Sequence, residues 1–93
     1  LVSWRGEHVV FDSLDAFKRA LALAGPDDQR AARSGVIMAA LRVAEFELAR
    51  AEAEKLVASS PESPDAIALH ADALWASGHF EQAEARYAEA LAK

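Results

Sequence analysis

Apolar residues recur along this chain at helical rather than strand spacing. Leu14, Phe17, Leu21 and Ala24 fall at i, i+3, i+7 and i+10, which makes one stripe on a helix over about residues 13–24. Asp12 or Ser13 stands ready as its N-cap, and Gly25-Pro26 is a stop signal. A second helix is predicted over 27–43, with Asp27 and Asp28 at the positive end of its dipole and Val36, Ile37, Ala40 and Leu41 turned inward. A third is expected over 45–58, burying Leu48, Ala49, Ala53, Leu56 and Val57. Ser63-Pro64-Asp65 combines a serine cap, a proline at the first helical position and an acid in the first turn, so a fourth helix starts there and runs to Ala76. Ser77-Gly78 interrupts it, and a fifth occupies 80–92 with Ala83, Tyr87, Ala90 and Leu91 inward. Val9-Val10-Phe11 is the one β-branched and aromatic run, too short to build a sheet. The fold class predicted is all-α, with short turns making neighbouring helices antiparallel.

Composition sharpens this picture. Apolar residues make up 53% of the 93, but 23 of them are alanine. A core with so few large side chains suits helices that approach closely rather than a thick interior. A balance of 10 Lys and Arg against 15 Asp and Glu, net −5, argues against a nucleic-acid or anionic-membrane partner. No run approaches the roughly 20 apolar residues of a membrane span, so no membrane insertion is expected. There is no cysteine, hence no disulfide frame and no thiolate metal site. The chain starts at Leu1 and shows no targeting signal, so it reads as an excised or processed piece, and its compartment is not legible.

The helical segments repeat. Gly78-His79-Phe80-Glu81-Gln82-Ala83 aligns with Ala44-Glu45-Phe46-Glu47-Leu48-Ala49 at an offset of 34, and the offset continues through Ala85 over Ala51 and Leu91 over Val57. A helix–turn–helix period of this length resembles the tetratricopeptide repeat family. The segment from Pro64 to Lys93 is most similar: Ile67, Ala71, Leu74, Gly78, Phe80, Ala83, Tyr87 and Ala90 stand at the family's large, small, large, turn-glycine, aromatic, alanine, aromatic and alanine positions. His70 departs from the family's leucine. From Arg30 to Ser63, Phe46, Ala49, Leu56 and Pro61 follow the pattern, whereas Ala44 replaces the turn glycine and Ile37 fills the small position. The resemblance implies a right-handed α-solenoid of antiparallel helical hairpins in one domain. Residues 1–26 would be an arm and partial repeat, followed by repeats at 27–63 and 64–93.

Candidate chemistry is sparse. His8, His70 and His79 lack metal-ligand spacing; His70 reads as a half-buried core residue and His79 as a solvent-facing turn residue. No phosphate loop or nucleophile elbow is present, so no catalytic, cofactor or metal site is expected. Glu45, Glu47, Glu52 and Glu54 read with Arg50 and Lys55 as a solvated face with i,i+3 pairs. The resemblance implies instead a protein or peptide partner held in a concave groove lined by the first helix of each repeat. By position the groove residues would be Ser34, Met38, Leu41 and Arg42, with Asp65, Ala68, Asp72 and Trp75. The Lys and Asn clamp with which some family members hold a terminal carboxylate is missing. Met38, Leu41 and Trp75 would form an apolar floor, with Arg42 and Asp72 fixing polar groups. Trp75 also has a plain structural reading, packing on the turn at Phe80. Leu1–Phe11 reads as a helix remnant or an extended arm; laid in a neighbour's groove it would make a homo-oligomer. A structural, self-assembling module is therefore the alternative expectation.

Overall fold

The structure, a computed structural model, describes residues 14–93. The expected cap at Asp12 or Ser13, the arm Leu1–Phe11 and His8 lie outside the described residues. The described chain is all-helical: α1 (14–23), α2 (Gln29–Arg42), α3 (Phe46–Ser59), α4 (Pro64–Ala76) and α5 (Phe80–Ala92). α2 packs on α3 and α4 on α5, and the two pairs meet through α3 against α4 and α2 against α4.

Local chemistry sets the helix ends. At α4 the Ser63 hydroxyl accepts from the Ala66 N–H at 3.3 Å, and Pro64 takes the first helical position, where its missing N–H costs nothing. α2 begins two residues later than the acidic pair predicts. Asp28 occupies its N-cap without a side-chain cap bond, and the backbone closes the turn through the Asp28 and Gln29 N–H groups to the Gly25 carbonyl, both at 3.1 Å.

The turns α2–α3 and α4–α5 are copies of one another, 34 residues apart, bond for bond. Glu45 N–H donates to Ala40 O and His79 N–H to Leu74 O, both at 2.8 Å. Ala44 N–H reaches Leu41 O at 3.3 Å and Gly78 N–H reaches Trp75 O at 3.1 Å. These are the paired bonds of a Schellman ending, which needs a left-handed residue just past the helix. Gly78 supplies it at φ 90°, and Ala44 adopts it at φ 64° despite its Cβ.

The core is thin and rich in small residues. Eight alanines are buried (Ala39, Ala40, Ala49, Ala53, Ala66, Ala71, Ala73 and Ala83) against six larger apolar residues: Leu14, Val36, Ile37, Leu56, Ile67 and Leu74. Burying a large aliphatic side chain contributes about 1.5–3 kcal/mol, so Ile37, Leu56 and Ile67 dominate while the alanines set how closely the helices approach. Two expected core positions differ. Leu91 is 89% exposed, because among the described residues no helix lies outside α5 at that point. Phe17 is 40% exposed, its ring lying against the backbone of α2 at Gly35 instead of entering the core.

Candidate functional site

The eight predicted groove residues all lie on α2 and α4 or their first turns. The N-terminal turns of the two helices line one open cleft of about 360 Å³, formed by Asp27, Arg30, Ala31, Ser34, Asp65 and Ala66 with Leu56 of α3 at its floor. Both N-terminal ends meet there, and α2 is in contact with α4. Arg30 reinforces the junction by donating to the Ser63 hydroxyl. The structure thus brings Ser34 and Asp65 together. Met38, Leu41 and Arg42 lie further along α2, and Ala68, Asp72 and Trp75 further along α4.

Their surroundings differ from residue to residue. Met38 is 51% exposed and Trp75 49%, so both present apolar surface to solvent; Leu41, Ser34 and Ala68 are half-buried. The Trp75 ring meets Phe80 edge-on, with centroids 4.7 Å apart and planes at 65°, a geometry that aromatic quadrupoles favour. Arg42 is exposed and makes no ion pair or side-chain hydrogen bond among the described residues, so its guanidinium is available. Asp72 is not free in the same way. Tyr87 of α5 donates its hydroxyl to Asp72 Oδ1, and that bond, with burial and the Asp72 charge adding to it, pushes the Tyr87 phenol up to about 12. Of the two polar groups expected to fix a partner, Arg42 is unengaged among the described residues and Asp72 is held by its own fold.

A second hollow of about 380 Å³, lined by Gly78, His79, Phe80, Glu81 and Gln82, is surface of the α4–α5 turn and lies apart from the α2–α4 cleft. Among the described residues no group of three or more His, Asp or Glu could hold a metal ion, and no helix is long and apolar enough to cross a membrane.

Two polar features fall elsewhere than expected, and one glycine carries a role the pattern did not show. Glu52 is not on a solvated face. It is 9% exposed and accepts from Arg33 Nε at 3.1 Å as well as from Lys55 Nζ at 3.2 Å. The partner that draws it inward is on α2, 19 residues upstream, while the local pair Arg50–Glu47, at 2.6 Å, stays at the surface. His70 is buried at 7% exposure rather than half-buried, and neither ring nitrogen has a hydrogen-bond partner among the described residues. Gly35 is the residue that pattern reading missed: a Cβ there would run into the Phe17 ring. A lone glycine among good helix formers was its one visible signal.

No family model, curated protein or solved structure matches this chain.

Proposed function

We propose that the chain is a tetratricopeptide-like α-solenoid that serves as a non-enzymatic scaffold, holding a partner peptide or helix against the face made by α2 and α4. One observation carries the reading: the two helices whose N-terminal turns line one cleft also carry Met38 and Trp75 uncovered and Leu41 half-covered. Exposed methionine and tryptophan are costly to leave in water, and both are favoured at adaptable binding surfaces. Arg42, without a partner among the described residues, adds an anchor for a carboxylate or carbonyl of the bound segment. The duplicated turns and the contact of α2 with α4 support stacked hairpins, since a repeat of this kind buries its faces against its neighbour.

The experiment is capture of partners from the native source by the wild type and by Met38→Glu/Arg42→Glu. Both positions are exposed, so the variant keeps the fold. A partner held by the wild type and lost by the variant is the expected result; one retained by both sinks the groove. Exposed Leu91 favours a second reading, a structural module that self-associates through the α5 end. Sedimentation at rising concentration separates the two, because a strict monomer rules out self-assembly.

A further inference from the structure

His70 is the strongest anomaly in the core. It is 7% exposed, and both Nδ1 and Nε2 are buried without a hydrogen-bond partner among the described residues. In the preceding hairpin the position 34 residues earlier is Val36, 1% exposed, so the fold asks for an apolar residue at this site and receives an imidazole. The ring sits where α4 faces both its hairpin partner α5 and α3 of the other hairpin. The charges acting on it come from Arg86 and Glu89 on α5 and from Arg50 and Glu54 on α3; none is on α2, the third helix packed against α4.

Those charges, together with burial, disfavour an imidazolium. A protonated ring has two N–H donors and needs two acceptors. The carboxylates in range are already committed, Glu54 to Arg50 and Glu89 to Arg86, each at 2.9 Å. Arg50 and Arg86 themselves repel a third cation. Burial is the largest influence on the ring, and with the two guanidinium groups it lowers His70 below its ordinary value of 6.5, the opposing pull of Glu54 and Glu89 notwithstanding.

We propose that the seam between the hairpins α2–α3 and α4–α5 is a proton-sensitive joint, in which His70 gains a proton more readily when α4 loosens from its neighbours than when the seam is closed. The sign follows from linkage. The unfolded or loosened chain binds the proton more readily than the closed one, so stability is full above pH 6.5 and falls as the pH drops below it, until the closed form itself is protonated. Asp and Glu ordinarily titrate well below this window, and the remaining histidines are His8 and the exposed His79.

The test is urea unfolding at about pH 7.5, 6.5 and 5.5. In the wild type the folding constant falls by up to about tenfold per pH unit below pH 6.5, the limit for one proton taken up on opening. His70→Leu loses this slope across the window. A slope unchanged in His70→Leu overturns the proposal. Proton NMR titration of the wild-type imidazoles gives a reading that does not depend on the variant folding. A His70 midpoint below 6.5 supports the joint, and one at or above 6.5 overturns it.

Discussion

Gly35 and Phe17 show how one residue's identity is set by a neighbour far away in the chain. A glycine inside a helix costs about 1 kcal/mol relative to alanine, yet α2 carries one mid-helix, at the start of its buried stretch. The Phe17 ring occupies the space a Cβ would need. Gly35→Ala therefore gains helix propensity but loses more through overpacking, which typically costs 1–3 kcal/mol; the expected net is a loss of about 1 kcal/mol in urea unfolding. In a Phe17→Ala background the clash is gone, and the same change should stabilise by about 1 kcal/mol. A change of the same sign in both backgrounds would refute the contact. Arg33 and Glu52 make the same point with charge. The positions 34 residues later hold Ile67, fully buried, and Arg86, which turns instead to Glu89 within its own helix. One hairpin thus fills with an ion pair the space that the other fills with an aliphatic side chain, and sequence position does not reveal which.

Among the elements, helix ends were legible and helix contacts were not. Ser63-Pro64 marks the start of α4 because a cap is a local event, confined to four residues. Phe80 to Ala92 is likewise bounded by a glycine turn whose chemistry sits within two residues of the helix. By contrast Glu52, Asp72 and Gly35 each owe their environment to a residue 15 or more positions away: Arg33, Tyr87 and Phe17. Periodicity assigns a face to a residue but not the residue opposite it. Asp72 could therefore be placed on the groove helix, while its engagement by Tyr87 could not be foreseen. Ala44 lies between these cases. Its alignment with Gly78 pointed to a turn, and the structure gives it the same left-handed backbone with a Cβ that such a conformation disfavours by about 1–2 kcal/mol. Ala44→Gly should therefore raise stability by about 1 kcal/mol, and Gly78→Ala, where a Cβ has open space and only the backbone is strained, should lower it by about the same amount. Urea midpoints measured for both variants check the symmetry of the two turns. Equal and opposite shifts are expected, and a destabilised Ala44→Gly would show that the α2–α3 turn is held by something other than its backbone.

At the scale of the molecule, the alanine-rich core determines how the hairpins depend on one another. Leu56 of α3 and Ile67 of α4 are each 1% exposed or less, and they belong to different hairpins. Ala66 and Ala73 of α4 join the same apolar cluster as Ala49, Ala53 and Leu56 of α3. Alanine contributes little burial energy by itself, so each hairpin draws much of its stability from the surface that the other covers. α5 shows what happens without such a neighbour: it buries only Ala83, whereas α3, with α4 against it, buries four residues. Helices of 13 or 14 residues are also marginal in water without tertiary packing. A peptide covering residues 61–93 alone should therefore lose most of its helicity, although it contains the better-capped α4 and the full α4–α5 contact. Circular dichroism at 222 nm gives the answer. Ellipticity per residue well below that of the intact chain, with no cooperative thermal transition, is the expected outcome. A sharp transition in the isolated hairpin would mean that α4 and α5 form an independent core, and the coupling across the α3–α4 seam would then be secondary.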